Sequence, residues 1–326
     1  MRIGINGMGR IGRLLFRRLV TMKEFEIVAV NDIMDIDNLL YLLKFDSIYG
    51  TFPLELKNDS EKIYVAEKKI SYFHEANPEL IEWKKLEVDV IIECTGKFSN
   101  LKNASLHLNG GAKKVLLSST GEADVILEIF ENKKNPVAPE INILSPGGCM
   151  TNCSVPVLKT LQNFGIESAH INFLHSYTSR QELVDAPNKQ FRRGRAAAES
   201  MIPVDIDLQF SLERLLPWLQ NKITTSSTRV PVANGAMGNF YIQLSSSPSK
   251  EEINDLFKSA SLNEYKGILD YTEEEIVSND VKGNTHSCVI DGTQTTVTGN
   301  LLRVVGWFDN EYGYTSRIID WLNVWK

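Results

Sequence analysis

The order of apolar segments predicts an α/β chain in two parts: a doubly wound parallel sheet, then a region of strands with alternating character. Two observations carry this. The chain opens with strand, glycine-rich turn and helix, and strands go on alternating with helical stretches to about residue 147. After a cysteine-bearing segment at 145–161, strands with alternating apolar and polar residues take over. A length of 326 residues suffices for two ordinary domains, each with a core. With 23% charged and 43% hydrophobic residues the composition is globular, and a net charge of -6 argues against nucleic acid as a partner. No run of 18 apolar residues exists, so no membrane span is expected. Met1–Ile5 reads as a strand rather than a signal sequence. The cysteines at 94, 149, 153 and 288 show no CxxC zinc pairing and suit a reducing compartment. A cytoplasmic protein without a metal is the expectation.

The first element is the strand Arg2–Asn6, followed at once by Gly7-Met-Gly9-Arg-Ile-Gly12 and by helical apolar spacing over residues 13–20. In that context the glycines have separate tasks. Gly7 makes the turn, Gly9 lets a pyrophosphate close to the backbone, and Gly12 lets helix pack on strand. A second strand from Glu26 ends at Asn31-Asp32, and Asp32 lies 20 residues beyond Gly12, where an acid bonds adenosine ribose hydroxyls. Asp32 repels an added 2′-phosphate, and residues 33–37 offer no basic replacement, so NAD is expected rather than NADP. The strand Val88–Cys94 ends in Thr95-Gly96 and the strand Lys114–Ser118 runs into Ser118-Ser-Thr-Gly121. Such strand ends extend the nucleotide crevice of an open parallel sheet, although each alone also reads as an ordinary loop.

Cys149 follows Gly147-Gly148 and precedes a plausible helix face at Val157, Leu158 and Leu161. Unpaired backbone N–H groups and the positive dipole end at a helix start favour thiolate, the nucleophilic form. The alternative is a small cysteine in a packing turn. Cys153, four residues on, shares that helix side, and a reversible disulfide between the two is structurally tight. In the strand 168–177, alternation sets His175 on one face with Ala169, Ile171 and Phe173, and His170 on the other. His175 is the functional choice, because it ends its strand ahead of a polar loop. That loop carries Arg192-Arg193-Gly-Arg195, which is either a solvated basic face or an anion pocket, and Arg229 joins the same set.

These marks together resemble the glyceraldehyde-3-phosphate dehydrogenase family over essentially the whole chain. They are residues 5–13, Asn31-Asp32, the Cys-x-Thr-Asn-Cys core at Cys149–Cys153, His175-Ser-Tyr-Thr178, Arg229-Val-Pro, and the run Trp307–Tyr314. Residues 202–205 and 290–295 look most like the erythrose-4-phosphate dehydrogenase branch. The resemblance implies a Rossmann-type NAD-binding domain, 1–147, completed by a C-terminal helix at 312–326. It also implies an α+β catalytic domain, 148–311, with a mostly antiparallel sheet. By resemblance Cys149 is the nucleophile and His175 its acid/base partner. Arg10 and Ile11 then meet the pyrophosphate, Thr95, Gly96 and Ser118 line the cofactor, and Asn310 and Tyr314 meet the nicotinamide. Thr178, Arg180, Arg193 and Arg229 hold the substrate phosphate. A homotetramer is implied, with residues 178–200 lining a neighbour's cofactor site. The expected reaction is oxidation of a phosphorylated aldehyde, erythrose 4-phosphate ahead of glyceraldehyde 3-phosphate. A catalytically weak NAD-binding regulatory paralogue is a further reading.

The chain departs from the family pattern at several places. Gly148 and Met150 stand where the family has Ser and Thr around the nucleophile, and Ile206-Asp207 replaces a Thr-Gly. Arg180 replaces a Thr beside the substrate phosphate, and Ala76 an Arg on the adenine side. Lost hydroxyl donors point to water, rather than inorganic phosphate, as the acceptor of the thioester.

Overall fold

The structure, a computed structural model, describes residues 1–120, 125–126, 138 and 140–325; Gly121, the end of one expected nucleotide loop, lies outside them. The chain divides into two compact units: Met1–Gly148 with Arg317–Lys326, and Cys149–Ser316.

The first unit holds a nine-stranded sheet in the order β10-β11-β9-β8-β1-β2-β7-β6-β5. Its strands are β1 (Arg2–Asn6), β2 (Glu26–Asn31), β5 (Leu56–Asn58), β6 (Lys62–Val65), β7 (Lys68–Phe73), β8 (Val90–Glu93), β9 (Lys114–Leu117), β10 (Val125–Ile126) and β11 (Ile143–Ser145). A small hairpin, β3 (Phe45–Asp46) with β4 (Gly50–Thr51), stands apart. Pairing is parallel from β10 through β7, and β6 and β5 add antiparallel. The chain winds outward from β1 in both directions, through β2 and β7 one way and β8, β9 and β11 the other. The order therefore reverses at the carboxyl ends of β1 and β8, where open α/β sheets bind ligands. Ile3, Ile5, Val30, Ile91, Ile92, Leu116 and Leu117 are buried, which is why these strands read as continuous apolar runs. Helix α1 (Arg10–Leu19) buries Leu14, Leu15, Phe16 and Leu19. It begins at Arg10 rather than Arg13, because Gly9 already serves as its N-cap. Helices α2 (Ile36–Lys44) and α3 (Leu101–Asn109) complete this unit's first half.

The second unit is built on an eight-stranded sheet, β13-β14-β12-β15-β19-β17-β16, with β18 added to β19. The strands are β12 (Ile166–Ser176), β13 (Ile202–Val204), β14 (Ile223–Val230), β15 (Ala236–Leu244), β16 (Leu269–Thr272), β17 (Cys288–Asp291), β18 (Thr296–Thr298) and β19 (Leu301–Phe308). Pairs β12–β14 and β16–β17 are parallel and the rest antiparallel, as the mostly antiparallel expectation has it. Alternation along β12 buries Ala169, Ile171, Phe173 and His175 while His170 is exposed. Phe173 meets Phe240 and Phe308 edge to face in the core beneath. Helix α4 (Cys149–Thr160) is buried from Thr151 through Leu158, and carries Pro156 inside it. Helices α5 (Leu208–Leu215) and α6 (Lys250–Leu262) belong to the same unit. Helix α7 (Tyr312–Val324) starts here, and its residues from Arg317 on belong to the first unit. There Lys114 Nζ donates to the Trp325 carbonyl at 3.0 Å and lies over its ring. Among the described residues no helix is long and apolar enough to cross a membrane.

Candidate active site

In the first unit the glycine turn is enforced by contact. Gly7 has φ +92, and a Cβ on it would stand 2.6 Å from the Thr95 backbone nitrogen. A Cβ on Gly12 would stand 2.0 Å from the Gly7 carbonyl oxygen, so α1 cannot sit this close with any side chain there. Gly9 differs, since nothing lies within 4 Å of where its Cβ would be. Open space at the start of a helix, over N–H groups that favour anions, fits a dinucleotide pyrophosphate. Asp32 is held by the same loop: its carboxylate accepts from the Met8 N–H at 2.5 Å and the Met34 N–H at 2.9 Å. This acid at the end of β2 fits NAD with its free ribose hydroxyls. The Arg10 side chain turns one Nη to Asp46 at 2.6 Å, while the Arg10 and Ile11 backbone stands at the helix start. Thr95 donates to Glu93 through its N–H, at 2.6 Å, and its hydroxyl, while Gly96 takes φ +67. The Ser118 N–H donates to the Glu93 carbonyl at 2.9 Å.

Sequence reasoning passed over what lies beneath. The buried Glu93 carboxylate also accepts from Asn6 Nδ2 at 2.5 Å and pairs with His107 Nε2 at 2.9 Å. Asn31 Nδ2 donates to Asn6 Oδ1 at 2.7 Å. One polar network thus ties together the ends of β1, β2 and β8, on which Gly7, Asp32 and Thr95 stand. A charged residue ending the apolar run Val90–Ile92 was its only signal in the sequence.

In the second unit Cys149 is the first residue of α4, and its Sγ lies 3.6 Å from His175 Nε2 at the end of β12. His175 Nδ1 is 2.8 Å from the Ser176 carbonyl, which can only accept, so Nδ1 carries the proton and Nε2 turns a lone pair to the sulfur. Ser176 Oγ and the Gly235 N–H both donate to Asn310 Oδ1, at 3.0 and 2.9 Å. That leaves Asn310 presenting Nδ2 as a donor. Tyr314, in the first turns of α7, is buried.

Burial, rather than the helix start, dominates the ionisation of the pair. It pushes the Cys149 thiol up to about 11, against the opposing pull of Arg229 and the backbone N–H groups of Met150 and Cys149. Burial drives His175 down to about 3, and Arg229 adds to that. Burial thus opposes the expected resting thiolate and favours a neutral thiol facing a neutral imidazole. Cys153 is buried, raised well above its ordinary value by burial and by its hydrogen bond to Cys288, and all four cysteines are free.

Arg229 stands directly opposite His175 in the β12–β14 pairing. It is 8% exposed, yet its Nε and Nη1 have no hydrogen-bond partner, and Arg193 Nη1 is likewise buried and unpartnered. Arg229 is lowered to about 10 by burial, then by the neighbouring charges of Arg193 and Arg180, against the raising pull of Cys149. Three guanidiniums converging beside a nucleophile make a site for an anion. Of the loop's other cations, Arg195 pairs with Asp185 at 3.0 Å, and Arg192 is exposed, so the basic run divides between pocket and solvated face. Thr178 donates through its hydroxyl to Gln181 at 3.0 Å, and Gln181 is a buried member of this group that its residue type did not announce. Ile206 is half-buried, and Asp207 is exposed at the N-cap of α5 without a side-chain cap bond.

Comparison with known proteins agrees with both units. Residues 1–101 match the family described as "Glyceraldehyde 3-phosphate dehydrogenase, NAD binding domain", and residues 148–310 match the corresponding C-terminal domain. The chain is 41% identical over 326 residues to "Glyceraldehyde-3-phosphate dehydrogenase 2" of Streptomyces avermitilis, covering 98% of this chain and 97% of the relative. It is 39% identical over 322 residues to "Glyceraldehyde-3-phosphate dehydrogenase 1" of Bacillus cereus, and 38% identical over 325 residues to the enzyme of Geobacillus stearothermophilus. Each match covers 98% of this chain and 96% of the relative. The chain belongs to the glyceraldehyde-3-phosphate dehydrogenase family and is an NAD-dependent dehydrogenase of phosphorylated aldehydes.

Proposed function

We propose that the chain oxidises glyceraldehyde 3-phosphate with NAD through a thioester on Cys149. The observation that carries this is the Cys149–His175 contact at 3.6 Å beside the unpartnered donors of Arg229 and Arg193. Relatives named for glyceraldehyde 3-phosphate over nearly full length put that substrate ahead of erythrose 4-phosphate.

Chemistry begins with proton movement inside the neutral pair. His175 Nε2 takes the thiol proton as Cys149 Sγ bonds to the aldehyde carbon, and the carbonyl electrons pass to oxygen. As sulfur gives up its charge to the new bond, the Cys149 and Met150 N–H groups that bonded it are released to donate to the oxyanion. Protonation of that oxygen gives a neutral thiohemiacetal, whose hydroxyl proton returns to Nε2 in the oxidation step. NAD, when bound, supplies the hydride acceptor for that step. Gly7, Gly9, Gly12, Asp32, Thr95, Gly96 and Ser118 of the first unit would hold it, while Asn310 and Tyr314 keep the role that the family resemblance implies for them. Arg229, Arg193, Arg180 and Thr178 hold the substrate phosphate throughout. Attack on the thioester carbonyl by inorganic phosphate then expels the Cys149 sulfur and leaves an acyl phosphate.

A second reading, release by water to a free acid, draws support from this chain's own residues. Gly148 and Met150 flank the nucleophile without a hydroxyl, and Asp207 adds an exposed carboxylate. Erythrose 4-phosphate is the substrate that goes with it. NADH absorbance with each aldehyde, across a phosphate titration at fixed ionic strength, separates the readings, with products identified by phosphorus NMR. Saturable stimulation with acyl-phosphate product supports the first, and phosphate-independent turnover to the acid supports the second. Cys149→Ser is expected to keep NAD and lose turnover with either aldehyde. The proposal extends to a cytoplasmic homotetramer. Exposed Leu183, Val184 and Phe191 in the 178–200 loop support self-association, and sedimentation velocity tests it.

A further inference from the structure

Gln181 is 8% exposed, and its oxygen is fully engaged: Oε1 accepts from the Thr178 N–H at 2.9 Å and from the Thr178 hydroxyl at 3.0 Å. A backbone N–H can only donate, so the oxygen must face Thr178, and the orientation of the amide is settled by that bond. Nε2 is therefore forced to the other side. It is buried there without a hydrogen-bond partner. A buried amide donor with nothing to meet it is unfavourable unless a ligand supplies the acceptor.

The surroundings say what that acceptor is. The Gln181 N–H closes a turn on the Thr178 carbonyl at 3.0 Å, and the next residue, Glu182, donates its N–H to the Arg193 carbonyl at 3.2 Å. Gln181 thus follows Arg180 in the turn and precedes the residue that bonds the Arg193 backbone. Arg193 Nη1, Arg229 Nε and Arg229 Nη1 are the other buried unpartnered donors of this group. Each of them lacks an acceptor, and the oxygens of an anion are acceptors of the kind they lack. The amide adds something the guanidiniums cannot. It is neutral, so it contributes a directed hydrogen bond without adding to the repulsion among Arg180, Arg193 and Arg229, and its position is fixed by Thr178.

We infer that Gln181 is a specificity-determining residue whose Nε2 donates to the phosphate group of the substrate. The inference rests on the reading of the site as one for a phosphorylated aldehyde. The alternative for this residue is a brace of the 178–181 turn and nothing more.

The test compares the parent, Gln181→Glu and Gln181→Met on glyceraldehyde 3-phosphate and on unphosphorylated glyceraldehyde, with thermal melts of each. Gln181→Glu keeps the acceptor for Thr178 while replacing the donor with a like charge, and Gln181→Met removes both. Expected is a KM for the phosphorylated aldehyde raised about tenfold to a hundredfold in Gln181→Met and further in Gln181→Glu. The kcat is expected to stay within about threefold, and kcat/KM for glyceraldehyde likewise. Sulfate, as a phosphate mimic, should raise the melting temperature of the parent more than that of either variant. This comparison also stands if only one variant folds. Equal losses on both aldehydes, or an unchanged KM for the phosphorylated one, would make Gln181 a turn brace and overturn the inference. A parent that does not prefer the phosphorylated aldehyde would instead overturn the phosphate reading of the site.

Discussion

Replacing Arg229 by Met tests whether burial or charge governs the nucleophile. With a Cys149 pKa of about 11 against an ordinary 9.0, the thiol persists through neutral pH and the thiolate emerges only near the upper value. At pH 7 that leaves roughly one thiolate in ten thousand, about a hundredfold below an ordinary cysteine. Alkylation of the cofactor-free enzyme by iodoacetamide, followed at Cys149 by peptide mass, should therefore climb about tenfold per pH unit from 7 to 10. Cys94, raised to about 12, should lag Cys149 by about tenfold, and Cys153, raised well above its ordinary value, further still. Arg229 is the largest influence holding Cys149 down, and it also depresses His175. Without it, alkylation should slow by about tenfold at each pH, the low end of what an opposite charge near a titrating group produces. His175 should meanwhile titrate at higher pH, read from its ring proton shifts in NMR. The two shifts run opposite ways for the two groups, which general loosening of the site does not produce. A parent profile that levels off below pH 8 would refute the reasoning, for it would mean a thiolate–imidazolium pair is the resting state.

Three further outcomes follow from the same structure. His175 is depressed from 6.5 to about 3, so its contribution is complete above pH 6.5 and is lost as pH falls toward 3. Urea unfolding at pH 4.5 should show roughly 2–3 kcal/mol less stability than at pH 7 from this group, a difference missing in His175→Gln. Gly12→Ala drives a methyl to 2.0 Å from the Gly7 carbonyl oxygen, and should weaken NAD by about tenfold or more in calorimetry; unchanged affinity would show that the loop yields freely. Asp32→Gly frees the Met8 and Met34 N–H groups and removes the charge that opposes a 2′-phosphate. The ratio of NADP to NAD dissociation constants should fall about tenfold, and an unchanged ratio would put Asp32 away from the ribose.

How much of this was legible in the sequence follows from the range of the interactions concerned. Strand, glycine turn and α1 occupy a continuous stretch, so spacing and residue type suffice to place them. His175 could be chosen over His170 because strand alternation is itself local. Arg229 facing His175 depends on the register of β12 against β14, and no periodicity in either segment reports that register. Of the network of Glu93, His107 and Asn6 only the charge that ends an apolar run was readable, for its partners come together only when the strand ends meet. Gln181 was hidden by its type, since a glutamine in a polar loop reads as solvated. The helix start at Cys149 is visible in the sequence, while the burial that opposes its ionisation is not.

The burial that opposes ionisation bears on how the proposed reaction begins. Arg229 stabilises a thiolate on Cys149 and opposes an imidazolium on His175, so it helps one member of the ion pair and hinders the other. A substrate phosphate arriving at Arg229 reverses both effects, disfavouring the thiolate and favouring the imidazolium. For a proton lost to solvent, substrate binding would therefore make the nucleophile harder to form, and a phosphorylated aldehyde would suppress its own oxidation. For a proton passed from Sγ to Nε2 across 3.6 Å, the site's net charge is unchanged and the two effects largely offset each other. The buried pair is then nearly blind to the charge of the substrate that the arginines select. Tight anion binding and thiol activation are reconciled in this site when His175, with its lone pair turned to the sulfur by the Ser176 carbonyl, is the first acceptor of the proton.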